Sequence, residues 1–489
     1  MLTLAPFLAL LGLATASPFD KATTLSDCLV SSGVPINTPG SADWKLDAAP
    51  FNLRLNFTPV AIAVPTTPKH VQDAVACAAQ LGIKANAKCG GHSYASFGLG
   101  GEDGHLTIEM DRMNKVALDN TTGIATVEGG SRLGHVAYEL YQQGKRGFSH
   151  GTCPGVGVGG HALHGGYGVS SNTKGLALDW MVGATIVLAN STIVNASTTE
   201  NSDLFWAIRG AGSSMGVVTE FRFNTFEVPE KVTYFVAPVQ WPTEARALVG
   251  VRAVQEFAKT MPRELNMRLF IAKRFINLEG LYYGDKAGLQ AALAPLQKIT
   301  NATLAVATTG GWLDQIKHFG GGINLDQGHP YSQHETFYST SLYTKALSET
   351  KLQEFVSYWF QQAKTNPRDW YVHIDLHGSD NSAVREPAED STSYAHRDYL
   401  FMYLFYDRVD KGLYPADGHA IMQNFARNLT QGLDKKEWGM YINYPDSRLD
   451  QESAQAYYWG KNLARLQTIK KAVDPNNVFH YPQGVLPAA

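Results

Sequence analysis

Two glycine-rich segments constrain the fold of this chain more than any other feature. They read "AKCGGHSYASFG" (residues 87–98) and "SHGTCPGVGVGGHALHGGYG" (149–168). Glycine-rich turns present successive backbone N–H groups with no side chains in the way, and such turns bind anions such as a pyrophosphate. The first segment places His92 directly after two glycines, and the second places Cys153 directly before Pro154. A nucleophilic side chain therefore stands beside each candidate anion-binding turn.

The second segment also matches, formally, the G-x-G-x-x-G pattern of a Rossmann dinucleotide site. The match runs over residues 155–160, with Asp179 at a suitable distance beyond it. A Rossmann turn needs a buried strand that leads directly into the glycines, whereas here Cys153 and a proline precede them. We therefore disfavour this interpretation. His161 and His164 lie in the same segment without a third ligand at suitable spacing, so we expect no metal site.

The segment before the first glycine pair has the pattern of a βαβ unit. Residues 61–93 read as a strand, a proline-marked turn, a helix over about His70 to Leu81, and a second strand. Further strands, another helix and a hairpin turned at Ala189 to Ser191 follow. We predict an α+β region up to about Phe226.

From about Val232 the pattern changes to aromatic-rich strands separated by helices over 244–260 and 348–364. This alternation predicts a sheet with one covered face. A helix over about 453–473 and a turn-rich closing segment follow. The predicted strands are "KVTYFVAPVQW" (231–241), "LNMRLFIAKRF" (265–275), "LEGLYYG" (278–284), "WYVHIDLHG" (370–378) and "YLFMYLFYDR" (399–408).

Length and charge exclude several classes of protein. The 489 residues exceed one ordinary hydrophobic core and predict two domains. A net charge of −3, with no long block of like charges, argues against nucleic-acid or membrane-surface partners. The opening "MLTLAPFLALLGLATAS" has the pattern of a signal peptide cleaved after Ala16, and no later run reaches about 20 uninterrupted apolar residues.

We therefore expect a soluble, secreted, extracellular protein. Asn-x-Ser/Thr glycosylation sequons agree with this expectation. They stand at Asn56, Asn120, Asn190, Asn195, Asn301 and Asn428.

The cysteines, at positions 28, 77, 89 and 153, suit neither a disulfide scaffold nor a zinc site. Four are too few for such a scaffold, and they lack the paired spacing of zinc ligands. At least one pair could form a disulfide bond.

Several motifs occur together along almost the whole chain after the leader. The general ones are "GGHS" (90–93), "HGTCPGVGVGGHALHGGYG" (150–168), "NSDLFWAIRGAGSSMGVVTEFRF" (201–223) and "DPNNVFHYPQ" (474–483). Together they resemble the berberine-bridge-enzyme group of the vanillyl-alcohol-oxidase flavoprotein superfamily. Three more are most similar to the fungal gluco-, chito- and xylooligosaccharide oxidases of that group: "DWYVHIDLHGS" (369–379), "FYDRVD" (405–410) and "WGMYINYPDSRLD" (438–450).

The resemblance implies an α+β fold with two domains: an FAD-binding domain of the PCMH type and a substrate domain built on an antiparallel sheet. After the signal peptide at 1–16, we expect the FAD-binding domain over 17–226 and the substrate-binding domain over 227–436. Residues 437–489 would return to the FAD-binding domain. We expect the protein to be a monomer.

The resemblance also implies an FAD attached at two points. One bond joins the 8α carbon of the flavin to a ring nitrogen of His92, and the other joins C6 to the sulfur of Cys153. Further flavin contacts are expected from Gly90, Gly91, Ser93, Gly129, Gly130, Ser131, Thr152, Gly155, Gly157, Gly160, Val218, Tyr481 and Gln483.

Two of the remaining cysteines, Cys28 and Cys77, match a disulfide pair of the oligosaccharide oxidases. Cys89 departs from these relatives, which have a small hydroxyl residue at this position. We interpret it as a small buried thiol without a redox role.

For catalysis the resemblance implies Tyr444 as the base and Asp375 as its acidic partner. An ordinary tyrosine titrates near ~10, and an ionised neighbour raises that pKa further, so the pair should share one proton. Asp375 would accept the phenolic proton while Tyr444 takes one from the sugar hydroxyl. By strand alternation Tyr371, His373, Asp375 and His377 share one face.

The substrate candidates contain departures from the family pattern. His373 and Leu404 stand where glucooligosaccharide oxidases have glutamine, and Arg268 differs from the chitin-oligomer enzymes. The first two changes remove amide hydrogen-bonding groups near the reducing-end sugar and argue against glucose-type specificity, and Arg268 argues against N-acetylglucosamine units. Cello- and xylooligosaccharides both stay candidate substrates. The substrate candidates are Tyr94, Arg268, Tyr371, His373 and Leu404.

The expected reaction oxidises the reducing-end C1 hydroxyl of an oligosaccharide to a lactone and reduces O2 to H2O2. One alternative is a secondary-metabolism oxidase acting on an alkaloid or polyketide, which a closed apolar pocket would favour. A non-enzymatic carbohydrate-binding or flavin-storing protein is a further alternative.

Overall fold

The computed structural model describes residues 24–322, 324–325 and 333–489. The predicted signal peptide and its cleavage position after Ala16 lie outside these residues. Among the described residues no helix is both long and apolar enough to cross a bilayer. In the same part of the chain, no group of three or more His, Cys, Asp or Glu side chains could hold a metal ion.

The first half of the chain alternates short strands and helices. The strands are β1 (Ile36–Asn37), β2 (Ala61–Ala63), β3 (Ala85–Lys88), β4 (Leu106–Glu109), β5 (Val116–Asp119), β6 (Ile124–Glu128), β7 (Arg146–Gly147), β8 (Met181–Val187), β9 (Ile193–Ser197), β10 (Val217–Asn224) and β11 (Phe226–Glu227). The helices are α1 (Leu25–Ser31), α2 (Trp44–Asp47), α3 (Pro68–Gln80), α4 (Leu133–Gly144), α5 (Val158–Ala162), α6 (Ser171–Lys174) and α7 (Ser202–Ala211).

The predicted βαβ unit is confirmed. Strands β2 and β3 both pair parallel with β4, and helix α3 connects them. The helix begins at Pro68 because the Thr67 side chain accepts a hydrogen bond from the His70 N–H and caps its first turn. A second, five-stranded antiparallel sheet has the order β5-β6-β10-β8-β9 and contains the predicted hairpin.

The second half is built on one large sheet. Its strands are β12 (Val232–Pro238), β13 (Leu265–Ala272), β14 (Ile276–Tyr282), β15 (Val306–Gly310), β16 (Thr336–Thr344), β17 (Asp369–Leu376), β18 (Phe401–Val409) and β19 (Trp438–Gly439). The helices are α8 (Glu244–Lys259), α9 (Lys286–Thr300), α10 (Trp312–Phe319), α11 (Glu349–Tyr358), α12 (His419–Thr430), α13 (Gln451–Trp459) and α14 (Leu463–Val473).

The large sheet is antiparallel, with the order β15-β12-β14-β13-β17-β18-β16-β19. One face packs against helices: Leu269, Val372 and Phe405 share a core with Leu289 of α9 and Phe355 of α11. The opposite face of the sheet, called the open face below, carries the polar side chains of β13, β14 and β17 considered next. The predicted covered sheet is therefore confirmed.

Two helix predictions were wrong in detail. The predicted helix over 453–473 is two helices, because Gly460 adopts a left-handed φ of 45° and ends α13. The predicted helix over 348–364 is α-helical only to Tyr358 and continues as a π-helix over Trp359–Ala363.

The C-terminal segment contacts both halves of the molecule. Trp438 and Gly439 pair with β16 of the large sheet. Leu466 of α14 then packs in the core of the five-stranded sheet, and Phe479 packs in the core of the sheet that contains the βαβ unit, whose strand order is β1-β2-β4-β3. The domain limits at 226 and 436 stay predictions.

The predicted disulfide between Cys28 and Cys77 is present and joins α1 to α3.

Candidate active site

A deep cavity lies between the two glycine-rich segments and the open face of the large sheet. It has about 1710 Å³ of empty space when the open solvent at its mouth is included. His92 and Cys153 line one part of its wall, and Arg268, Asp375 and Tyr444 line another. Residues from both halves of the chain thus meet in one space.

The two glycine-rich segments touch through their backbones. A Cβ atom on Gly90 would lie 2.3 Å from the Gly157 nitrogen, so no larger residue fits there. The buried Arg132 guanidinium donates hydrogen bonds to the carbonyl oxygens of Gly90 (2.7 Å) and Gly155 (2.9 Å). Gly91 has a φ of 68°, which glycine adopts without strain. Residues 155–160 follow no strand of the parallel sheet, so the Rossmann interpretation is not supported.

His92 and Cys153 lie side by side in the cavity wall. The Cys153 Sγ is 3.7 Å from His92 Nε2, and the His92 ring stacks on Phe51 with centroids 3.7 Å apart. Burial lowers the pKa of His92 to about 3, so its imidazole is neutral and keeps a nucleophilic lone pair. Two adjacent nucleophiles beside the contacting glycine-rich backbones fit a flavin that is attached at two positions of the same ring.

Tyr444 and Asp375 face the same cavity. The Tyr444 ring stacks on Tyr94 with centroids 5.7 Å apart and meets Tyr441 edge-on at 5.2 Å. Burial, then the neighbouring Tyr94 and Asp375, raise the pKa of Tyr444 well above its usual value. Tyr444 therefore needs an acceptor for its proton before it can act as a base.

Asp375 provides an acceptor that titrates near neutral pH. Burial raises its pKa to about 7, although the nearby Arg268 opposes the shift. Arg268 lies opposite Asp375 on one neighbouring strand and opposite Glu279 on the other, and its Nε donates to Glu279 at 2.7 Å. The cation is thus held beside Asp375 by a second carboxylate.

The cavity wall contains most of the predicted flavin contacts. Those that line it are Gly90, Gly91, Ser93, Gly129, Thr152, Gly157, Gly160, Val218 and Tyr481. The cavity lining does not include Gly130, Ser131, Gly155 or Gln483. Ser131 accepts a hydrogen bond from the Cys89 thiol through its carbonyl, and Gln483 accepts one from the Tyr458 hydroxyl.

The substrate candidates divide into two groups. Tyr94 and Arg268 line the cavity, whereas Tyr371, His373 and Leu404 lie further along the same sheet. The Tyr371 ring stacks on Tyr406 and on His373, with centroids 4.8 Å apart in each case. Leu404 is buried among aromatic side chains. These residues extend the cavity into an aromatic groove.

His377 follows the end of β17 and lies apart from this groove. Its ring nitrogen Nε2 is 3.2 Å from the Tyr394 hydroxyl, in a buried cluster with Tyr343 and Tyr441.

Cys89 lines the cavity with part of its surface, and its thiol donates to the Ser131 carbonyl oxygen at 3.4 Å. Burial raises its pKa to about 11, so it stays protonated, which agrees with a structural thiol.

Sequence reasoning missed several residues of the site. Tyr441 accepts hydrogen bonds from the backbone N–H groups of Gly166 (2.9 Å) and Tyr167 (3.2 Å), and so ties the Tyr444 segment to the second glycine-rich segment. The motif that contains Tyr444 also contains Tyr441 and could have indicated it. Phe51 lies 41 residues before His92 in the sequence, and no local pattern marks it.

Comparisons with known proteins agree with this geometry. A model described as "FAD binding domain" matches residues 59–197, and one described as "Berberine and berberine like" matches residues 440–486. The chain is 49% identical to a xylooligosaccharide oxidase of Thermothelomyces thermophilus over 97% of each chain. It is 45% identical to a chitooligosaccharide oxidase of Gibberella zeae over 96% of each chain.

Solved structures are similar over nearly the whole chain. A xylooligosaccharide oxidase from Myceliophthora thermophila C1 in complex with xylobiose gives a TM-score of 0.93 at 49% identity, covering 95% of this chain and 99% of that one. A glucooligosaccharide oxidase from Acremonium strictum, described with a 6-S-cysteinyl, 8α-N1-histidyl FAD, gives a TM-score of 0.92 at 42% identity and covers 95% and 99%.

Proposed function

Because this chain belongs to the FAD-linked oxidase family of the berberine-bridge-like proteins and fungal oligosaccharide oxidases, we propose that it oxidises the reducing end of an oligosaccharide. The family resemblance, the α+β FAD-binding fold and FAD as the cofactor are confirmed by these matches. The proposed reaction converts the C1 hydroxyl of a cello- or xylooligosaccharide to the lactone and reduces O2 to H2O2.

The observation that carries this proposal is the meeting of two pairs of residues in one cavity. One pair, His92 and Cys153, suits covalent attachment of the cofactor, and the other, Tyr444 and Asp375, suits removal of a hydroxyl proton. Bound FAD supplies the hydride acceptor for the C1 hydrogen. The protein must then hold the sugar and move one proton.

His92 and Cys153 are proposed to hold the cofactor through its 8α carbon and C6. The neutral His92 ring and the 3.7 Å separation of the two nucleophilic side chains support this assignment. Gly90 and Gly157 support it as well, because the absence of side chains lets the two glycine-rich backbones pack directly against each other in the cavity wall, where backbone N–H groups can bind phosphates.

Tyr444 is proposed to take the proton of the sugar O1–H. The tyrosine can act as a base only while its own proton is passed on, and Asp375 is the buried carboxylate that interacts with it. With a pKa raised to about 7, Asp375 can accept a proton at neutral pH and release it afterwards. Arg268 stabilises the ionised form of the carboxylate.

The groove beyond Asp375 suits a sugar chain. Aromatic rings provide flat surfaces for the C–H faces of pyranoses, and polar groups pair with their hydroxyls. The half-buried Tyr371 ring, supported from behind by buried Tyr406, provides such a surface, and half-buried His373 stands next to it. Tyr371 and His373 keep part of their surface exposed and lie beside the charged pair Arg268 and Asp375, unlike the closed apolar pocket that an alkaloid or polyketide oxidase would need.

The test is hydrogen peroxide release with cellobiose, xylobiose and chitobiose as substrates. Tyr444→Phe should abolish turnover while the visible flavin spectrum is kept, because it removes the base and leaves the cofactor site intact. Tyr399→Phe is the matched control, since the Tyr399 hydroxyl donates to the Lys436 carbonyl oxygen and does not line the cavity. Full activity of Tyr444→Phe would show that another residue is the base.

Wild-type protein that holds flavin but oxidises none of these sugars would favour the alkaloid or polyketide alternative.

Secretion is also proposed. A disulfide bond persists in oxidising compartments, and the Cys28–Cys77 bond fits this setting. The sequons at Asn56, Asn120, Asn190, Asn195 and Asn301 stand on exposed positions, while Asn428 is half-buried and donates to the Asn424 carbonyl oxygen at 2.8 Å. Glycans are expected at the exposed five.

A further inference from the structure

The hairpin formed by β13 and β14 presents an exposed aromatic side chain at the outer end of the groove. Phe275, in the turn, is 47% exposed, and its ring meets Phe270 edge-on with centroids 5.1 Å apart. Phe270 in turn lies 4.3 Å from the His373 ring and 5.4 Å from Tyr371. The aromatic surface of the groove therefore continues without interruption from Tyr371 to the tip of this hairpin.

Asn277 adds a polar group beside this surface. It lies opposite Phe270 in the β13–β14 register, two residues before Glu279 on the same strand, so its side chain shares the open face with Phe270. The Asn277 amide is half-buried and makes no hydrogen bond to any described residue. An amide can donate two hydrogen bonds and accept two, so it is available for hydroxyl groups.

The position of the hairpin sets which part of a substrate could reach it. Asp375 lies opposite Arg268, and Tyr371, four residues earlier on β17, lies opposite Ala272. The Ala272 N–H donates to the Phe275 carbonyl oxygen, so Phe275 lies at the level of Tyr371, two strands away from β17. At about 3.3 Å per residue and about 4.8 Å per strand, the backbone of Phe275 lies roughly 16 Å from that of Asp375.

A sugar whose reducing end is held at Asp375 reaches that far only through its third or a later unit. A disaccharide ends inside the groove.

We propose that Phe275, Phe270 and Asn277 form a distal subsite that binds the third or a later pyranose of a linear oligosaccharide. Phe275 stacks on the C–H face of that unit, and the Asn277 amide bonds one of its hydroxyls. The subsite makes the enzyme favour tetrasaccharides over disaccharides. This inference rests on the proposed function, because it assumes that the reducing end lies at Asp375.

The kinetic test compares Phe275→Ala with wild type on cellobiose and cellotetraose, and on the matching xylooligosaccharides. The ratio of kcat/KM for the tetrasaccharide to that for the disaccharide should fall about fivefold, because one aromatic contact is lost. The change should come from KM, with kcat kept. Asn277→Ala should lower the same ratio, and Phe275→Tyr should restore it.

Val249→Ala provides the matched control. Val249 is also an exposed apolar residue (37%), but it lies on α8, which covers the opposite face of the sheet. Its ratio should equal that of wild type. The subsite would be overturned if Phe275→Ala lowered kcat/KM equally for the tetrasaccharide and the disaccharide, or for neither of them.

A binding measurement separates this inference from the proposed function. Calorimetric titration of cellotetraose into flavin-loaded Tyr444→Phe protein needs no turnover. Weaker binding after adding Phe275→Ala supports the subsite even if no sugar is oxidised, and unchanged binding overturns it. Failure of the proposed function would appear separately, as wild-type protein that releases no peroxide from either chain length.

Discussion

At the scale of single residues, burial determines what the side chains of the cavity can do. The same desolvation keeps His92 neutral, keeps the Cys89 thiol protonated and raises the pKa of Asp375 to about 7. The sequence marks His92 by its place directly after a glycine pair, but it indicates Asp375 only through family resemblance. Their electrostatic states depend on neighbours that are distant in the chain, such as Phe51 for His92 and Glu279 for Arg268.

The raised pKa of Asp375 predicts the pH dependence of the enzyme. The carboxylate accepts a proton only when it is ionised. We therefore expect kcat to be low in acid and to increase as pH rises through about 7. Asp375→Asn should lower kcat by about 10²-fold and remove this limb of the pH profile. Steady-state rates between pH 5 and 9 would check both.

The same variant has a predictable effect on stability. A carboxyl whose pKa is raised on folding binds its proton more tightly in the native state. It therefore destabilises the protein once the pH exceeds the pKa that the carboxyl has in the unfolded chain. Asp375→Asn should therefore be more stable than wild type at pH 8 and similar to it near pH 4. Equal stabilities at pH 8, measured by urea unfolding, would contradict the burial argument.

The two proposed attachment points predict how flavin is retained. His92→Ala and Cys153→Ser should each keep flavin on the acid-precipitated protein, because one covalent bond remains. The double variant should give a colourless precipitate. Flavin fluorescence of the denatured bands measures this, and a colourless wild-type precipitate would exclude covalent attachment.

At the scale of elements, the pattern of apolar and polar side chains predicts some helices and strands but not others. The βαβ unit is evident because α3 is amphipathic and starts at a threonine cap. Strand β16 was missed because it buries Ser339, Thr340 and Ser341 in sequence and shows no alternation of apolar and polar residues. Its hydroxyls are satisfied by tertiary contacts that the sequence does not show.

One of those contacts predicts how β16 supports the active site. The Ser341 hydroxyl donates to the Tyr441 carbonyl oxygen (3.2 Å) and accepts from the Tyr441 N–H (2.9 Å). Ser341→Ala should cost about 1–3 kcal/mol in unfolding free energy, because two buried backbone groups lose their partner. It should also lower kcat, because the segment that carries Tyr444 is less firmly held.

Thr308→Ala, at an exposed position of the edge strand β15, provides the control and should change neither quantity. Guanidinium unfolding and peroxide release measure both variants. A Ser341→Ala protein with wild-type stability would contradict this assignment.

At the scale of the whole molecule, the chain returns to its first half after the large sheet is complete. Residues from 451 onward pack against the cores of the first two sheets, while Trp438 and Gly439 still pair with β16. The segment that carries Tyr444, the proposed base, therefore crosses between the two halves. The sequence suggested this return only by resemblance, because no local pattern specifies which core a terminal helix will join.

A buried ion pair fixes this return and predicts its contribution to stability. The Lys470 ammonium donates to the Asp474 carboxylate (2.6 Å) and to the Ser214 carbonyl oxygen (2.7 Å), with both charged side chains fully buried. Asp474 also accepts from the backbone N–H groups of Val478 and Phe479, and Phe479 lines the cavity. This ion pair thus connects the last helix, the first half and the cavity wall.

Asp474→Ala leaves the buried Lys470 charge without its partner, which should cost about 3–5 kcal/mol of unfolding free energy. Burial already lowers the pKa of Lys470 to about 8, and losing the carboxylate removes the interaction that opposes this shift. The stability lost in Asp474→Ala should therefore be partly recovered as pH rises and Lys470 becomes neutral. Arg465→Ala, which removes an exposed pair with Asp203, is the control and should change stability by less than about 1 kcal/mol. Denaturant unfolding at pH 7 and pH 9 tests this, and a variant as stable as wild type at pH 7 would show that the pair does not hold the two halves together.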